Sequence, residues 1–132
     1  MSGDAPPLGS PEDLSYGPDG LLPVVVQDAS TKDVLMLAYA DAEAVRRTID
    51  TRTTWFWSRS RGEYWNKGAS SGNIQAVVEI RYDCDADTLL VLVDPAGPAC
   101  HTGERTCFFR SLESNNPRDL DPRRDRLDDR RD

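Results

Sequence analysis

Six short runs of apolar residues and one amphipathic stretch punctuate this 132-residue chain. The runs at 24–27 (VVVQ) and 34–39 (VLMLAY) flank a polar segment at 28–33, the pattern of a β-hairpin. Asp41 then stands where it can cap a short helix over 42–49, with Glu43 in the first turn and Arg46 and Arg47 nearer the end. Two aromatic strands are predicted next, at 53–57 (TTWFW) and 63–65 (EYW), around the basic turn 58–62. Residues 74–84 alternate less cleanly but are β-branched enough for a strand. Residues 88–93 (TLLVLV) form a continuous apolar run of strand length, expected to be buried on both faces. One helix among about six strands predicts an α+β fold, mostly β: a small mixed or antiparallel sheet domain.

Composition narrows this to one domain. Residues 1–20 are rich in Pro, Gly and acidic groups, and residues 111–132 hold few apolar side chains among Arg and Asp. Both read as mobile tails on a domain spanning 21–110. A core that small gains from a metal or a partner subunit. The net charge of −7 argues against general nucleic-acid binding, which needs a basic footprint. Asp outnumbers Glu 17 to 6, which suggests a strongly hydrated acidic surface. No apolar run is long enough for a membrane span. Three cysteines, an odd number, with no recognisable leader, argue against a disulfide framework and for a cytoplasmic protein.

Those cysteines carry the chemistry. Cys84, Cys100 and Cys107 lie within 24 residues, together with His101, the only histidine. Three thiolates can hold zinc and leave its fourth tetrahedral position open to water, the arrangement of a catalytic site. Free cysteine is also often simply core, and separations of 16 and 7 residues match no zinc finger, so spacing alone leaves metal binding near even odds. Around Cys84, the aspartates Asp83, Asp85 and Asp87 alternate along the chain. If the strand runs on, they share one face and Cys84 takes the other, so a hard cation such as Mg²⁺ suits one side and zinc the opposite one. A solvated acidic turn is an equally weighted reading of the same pattern.

A second cluster follows the aromatic run. Trp55 and Trp57 share a strand face, where a core stripe is the ordinary outcome and stacking on a base the functional one. Next come Ser58, Arg59, Ser60, Arg61 and Gly62, then Lys67, Ser70, Ser71 and Gly72. Hydroxyls, guanidinium groups, one of only two lysines and flexible backbone N–H groups suit phosphate oxygens. With Trp57 they suggest a phosphorylated nucleotide.

Seven segments, 24–29 (VVVQDA), 34–39 (VLMLAY), 57–62 (WSRSRG), 65–68 (WNKG), 71–75 (SGNIQ), 83–87 (DCDAD) and 97–103 (GPACHTG), together resemble phosphoribosyl-AMP cyclohydrolase of histidine biosynthesis. The resemblance covers about residues 14–109 in unbroken order and has the monofunctional form. It implies one Zn²⁺ per subunit on Cys84, Cys100 and Cys107, Mg²⁺ on Asp83, Asp85 and Asp87, and an intertwined homodimer. In that dimer, Cys84 of one subunit meets Cys100 and Cys107 of the other. The implied reaction is hydrolytic opening of the adenine ring of 1-(5-phosphoribosyl)-AMP between N1 and C6, the third step of L-histidine biosynthesis. Water activated by zinc would attack C6, and His101 is the available general base. Two other classes compete. A non-catalytic zinc-binding module that recognises a nucleotide would leave the aspartates without a role. A nucleotide deaminase would need the His-x-Glu and Pro-Cys-x-x-Cys signature, which is missing.

Overall fold

The computed structural model describes residues 10–115. Its centre is a four-stranded sheet in the order β2-β1-β6-β5, built from β1 (Leu22–Asp28), β2 (Val34–Ala40), β5 (Gln75–Tyr82) and β6 (Leu89–Pro95). β1 pairs antiparallel with β2 and parallel with β6, and β5 returns antiparallel to β6. A separate antiparallel ribbon joins β3 (Trp55–Ser58) and β4 (Glu63–Asn66). With one helix, α1 (Ala42–Thr51), this is the expected α+β, mostly β fold with a mixed sheet. The hairpin at 24–39 forms as predicted, and 89–93 is buried but for a half-buried Leu90.

The core follows from strand alternation. Leu22, Val24 and Val26 of β1 point to the same side as Leu89, Val91 and Val93 of β6, and all six are buried. Ala44, Val45 and Thr48 of α1 and Phe56 of β3 are buried with them. Asp41 caps α1 as expected, accepting from the Ala44 N–H at 2.8 Å. The helix runs two residues beyond the predicted end and stops where Arg52 turns left-handed, at φ 59°.

Few buried polar groups sit in this core, and they tie the layers together. The Thr48 hydroxyl donates to the Ala44 carbonyl and accepts from the Trp55 N–H, locking α1 to β3. The Thr54 hydroxyl donates to Gln75 Oε1 at 2.9 Å, joining the ribbon to the main sheet. Both ends of each bond would cost free energy if buried alone, so these contacts fix one arrangement of the layers.

Three expectations are corrected. Phe56, not the Trp55/Trp57 pair, enters the core at 1 % exposure, because β3 turns its even position toward α1. The tryptophans stay half-buried on the other side, where the Trp55 indole N–H finds the Thr51 hydroxyl. The strand expected over 74–84 stops at Tyr82. Packed structure also begins before residue 21: Leu14 is buried, and the Ser15 N–H donates to the Ala86 carbonyl. The remaining terminal segments, 1–9 and 116–132, lie outside the described residues.

Candidate active site

The cleft that gathers six of the sixteen expected site residues lies between β4, the glycine-rich turn after it and the cysteine-bearing loop. Its volume is about 660 Å³. Arg61, Lys67, Ser70 and Ser71 line it from the ribbon side, and Cys100 and His101 face them from the loop. These six residues span 41 positions of sequence, and long-range contacts bring them together. The Lys67 ammonium donates to the Ala99 carbonyl at 2.5 Å, tying the turn to the residue before Cys100. It also sits 5.6 Å from the centroid of the Trp65 ring.

The turn itself is dictated by two glycines that pack around Asn73. Gly68 has φ 86°, and a Cβ there would lie 2.4 Å from the Asn73 carbonyl carbon. A Cβ at Gly97 would lie 2.3 Å from Asn73 Oδ1. Gly72, at φ 85°, has open space around it. Gly68→Ala should therefore cost roughly 3 kcal/mol, combining left-handed strain with a backbone clash. Gly72→Ala should cost only about 1 kcal/mol from the strain alone. Denaturant midpoints of the two variants check this, and equal losses would contradict the close approach at Gly68.

Several expected contacts lie elsewhere. Trp57, Ser58, Arg59, Ser60 and Gly72 are not part of the cleft wall. Trp57 packs edge-on against Tyr64, its cross-strand partner, with centroids 4.9 Å apart. Ser58 closes its own turn, accepting from the Arg61 N–H at 3.3 Å. The Arg59 guanidinium lies 4.0 Å from the Tyr39 ring centroid, in a cation–π contact with β2. The aromatic wall is supplied instead by Tyr64 and Trp65, beside Asn66 and Asn73. Alternation in the short run 63–65 marks a strand but cannot say which side will meet a loop 35 residues later.

Tyr64 is fixed firmly. Its hydroxyl donates to Asp41 Oδ2 at 2.7 Å, and the Arg47 guanidinium stacks 4.3 Å from its ring. Desolvation and the Asp41 hydrogen bond push its phenol up to about 12, so it stays neutral across the working range.

Cys100 and Cys107 form a pair. The loop between them folds back on itself, the Cys100 N–H donating to Glu104 O and the Ala99 N–H to Arg105 O, both at 3.1 Å. Cys107 is held by its N–H to Leu35 O of β2 at 2.7 Å. The Thr102 hydroxyl donates to Cys100 Sγ at 3.0 Å, which with a further hydrogen bond from the Cys107 thiol holds the Cys100 thiol below its ordinary pKa. Desolvation, with the neighbouring Cys100 sulfur, raises that of Cys107. The two thiols are thus shifted in opposite directions, Cys100 toward easier ionisation.

Cys84 is not with them. It follows β5, one edge of the sheet, whereas Cys107 is anchored to β2, the other edge. Three strand spacings of ~4.8 Å separate those edges, about 14 Å, far more than one tetrahedral ion with bonds of ~2.3 Å can span. The donor chemistry of the three thiols fits zinc, but within one chain only two of them meet.

Of the two readings of the aspartate run, the turn is the one that forms. Asp83–Asp87 is not a continued strand but a turn, with Ala86 at φ 58°. Asp83 Oδ1 accepts from the Asp87 N–H at 3.0 Å and closes it. Carboxylate oxygens of Asp83, Asp85 and Asp87 come within 4.8 Å of one another, all exposed. Desolvation pushes the Asp83 carboxyl up, but hydrogen bonds from backbone N–H groups, led by that of Asp87, outweigh it and lower it. Asp87 is raised, by its contact with Asp83, by desolvation and by the charges beside it. Three crowded oxygen donors fit a hard divalent cation. Cys84 sits inside this turn, its Sγ 3.8 Å from Asp85 Oδ1, not on an opposite strand face.

The sequence that builds these features is similar to known proteins. The family model described as phosphoribosyl-AMP cyclohydrolase matches residues 36–109. The chain is 60% identical over 111 residues to the phosphoribosyl-AMP cyclohydrolase of Thermobifida fusca, covering 82% of this chain and 95% of that protein. It is 55% identical over 106 residues to the enzyme of the same name from Archaeoglobus fulgidus, covering 80% and 98%. It is also 57% identical over 99 residues to the histidine biosynthesis bifunctional protein HisIE of Bacillus subtilis, covering 75% of this chain but 47% of that one. No helix among the described residues is long and apolar enough to cross a membrane. The chain belongs to the phosphoribosyl-AMP cyclohydrolase family.

Proposed function

We propose that this cleft binds 1-(5-phosphoribosyl)-AMP and hydrolyses its adenine ring between N1 and C6. The product is the formimino-aminoimidazole carboxamide ribonucleotide of histidine biosynthesis. One observation carries the reading: Lys67, Ser70 and Ser71 face Cys100 and His101 across a single cleft large enough for a nucleotide. The substrate's two phosphoryl groups match the ammonium, guanidinium and hydroxyl donors of Lys67, Arg61, Ser70 and Ser71. Trp65 offers a ring face beside them for the purine.

Zinc would be held by Cys100 and Cys107 with Cys84 of the partner subunit, and when bound it supplies a Lewis acid that acidifies water beside the ring. The third thiolate must come from a second copy because Cys84 lies at the far edge of its own sheet. The functional unit is therefore a homodimer with two equivalent sites. Three thiolates leave the centre with net negative charge, so the attacking water gains from a protein base. His101, in the cleft and next to Cys100, takes that proton. Asp83, Asp85 and Asp87 would hold Mg²⁺, whose charge would offset their mutual repulsion in the turn that also carries Cys84.

Turnover of phosphoribosyl-AMP followed by absorbance, with ammonia assayed in parallel, tests this. Ring opening without ammonia is the expected result. Ammonia release would make the chain a deaminase, and binding without turnover would make it a nucleotide-recognition module.

A further inference from the structure

Arg105 sits between the two cysteines of the pair and contacts neither the cleft nor the aspartate turn. Its guanidinium nevertheless makes three hydrogen bonds. Nη2 donates to Asp28 Oδ2 at 2.6 Å and to Thr31 Oγ1 at 2.8 Å, and Nη1 donates to Asp33 Oδ2 at 2.7 Å. The three acceptors lie at the end of β1 and in the turn that follows it, more than 70 residues away in sequence.

Asp28 is the unusual partner. It ends β1, its side chain is 7% exposed, and its other oxygen is already occupied. Oδ1 accepts from the Ser30 N–H at 2.9 Å, the Ser30 hydroxyl at 2.8 Å and the Thr31 N–H at 3.3 Å. The carboxylate is thus buried in a fixed orientation, with Oδ2 left to meet Arg105. A buried carboxylate that keeps its charge needs such a partner, and a fork-shaped cation meeting several acceptors is strongly directional.

The backbone of Arg105 transmits that direction. Its carbonyl accepts from the Ala99 N–H, next to Cys100, and two residues on the Cys107 N–H is bonded to β2. We infer that the Asp28–Arg105 pair positions Cys100 and Cys107 for metal, by clamping the loop that carries both onto the rigid β1–β2 hairpin. Arg105 is a positioning residue that touches neither substrate nor metal. The inference rests on the zinc reading above only for the identity of the ion.

Two readouts on the full-length chain test it, using Arg105→Met, Asp28→Asn and the charge-keeping Arg105→Lys. The first is the rate at which the zinc-loaded protein gives up metal to a chromophoric chelator. Release should be ~10- to 100-fold faster in Arg105→Met and Asp28→Asn, the range for partners that orient metal ligands. Arg105→Lys should fall between, since a point charge replaces a fork. The second readout needs no metal: the equilibrium between the Cys100–Cys107 dithiol and oxidised glutathione, in a Cys84→Ser background. There two thiols lose two electrons to form one disulfide while glutathione disulfide becomes two thiols. A positioned pair closes more readily, so Arg105→Met should shift this equilibrium toward the dithiol by about ten-fold.

Unchanged zinc release together with an unchanged glutathione equilibrium would overturn the clamp, even if the melting temperature fell. If the parent protein binds no zinc, the zinc reading fails, and the glutathione equilibrium alone decides the clamp.

Discussion

Cys107→Ser will lose zinc and nearly all turnover while keeping the sheet. Serine is almost isosteric with cysteine, and the Cys107 N–H bond to Leu35 O involves only backbone, so the loop can still dock on β2. What changes is the donor: a hydroxyl remains protonated at neutral pH, whereas a thiol beside a metal does not. Turnover should fall roughly 10³-fold or more, about 4 kcal/mol of barrier at 1.36 kcal/mol per decade. Metal analysis, a turnover assay and the far-UV circular dichroism spectrum check the three parts together. Retained zinc with near-normal turnover would remove Cys107 from the ligand set.

His101→Ala should behave differently. It should keep zinc and lose on the order of 10²–10⁴-fold in kcat, the usual loss when a general acid–base is removed. His101 is exposed in the turn of the Cys100 loop, and that turn is closed by the Gly103 N–H donating to Cys100 O at 3.0 Å. Its backbone geometry does not depend on the imidazole. The contrast between the two variants separates holding the metal from moving the proton. An unchanged kcat would leave His101 a turn residue, and loss of zinc would make it a ligand or a support for one.

Much of this molecule can be read from local pattern. The hairpin of β1 and β2, the Asp41 cap and the apolar strand β6 follow from period-two alternation, capping chemistry and burial. Lys67, Ser70, Ser71, Cys100 and His101, named from their chemical types, line one cleft. Other features were not legible, for physical reasons. The run Asp83-x-Asp-x-Asp87 allows strand or turn equally, and the left-handed Ala86 and the Asp87 N–H donating to the Asp83 carboxylate decide for the turn. Likewise, which face of Trp55-Phe56-Trp57 is buried depends on where α1 packs, a long-range fact. The walls of the cleft obey the same limit. Tyr64 and Trp65 join it because Lys67 reaches the Ala99 carbonyl 32 residues away, a contact no window of sequence contains. Arg105 was invisible for the same reason, since its partners lie more than 70 residues upstream.

The placement of Cys84 and Cys107 on opposite edges of one sheet makes the most exposed claim: the metal site is completed only by a second copy. Subunit mixing tests it directly. Cys84→Ser and Cys107→Ser homodimers should each be inactive. After exchange at equal concentration, about half of the dimers are mixed, and each mixed dimer carries one site with both lesions and one with none. Roughly a quarter of all sites should therefore regain zinc and turnover. If all three cysteines served one chain's own site, every site would keep a lesion and the mixture would stay silent. With exchange verified by separating differently tagged dimers, recovery near one quarter is the predicted result, and a silent mixture contradicts the shared site.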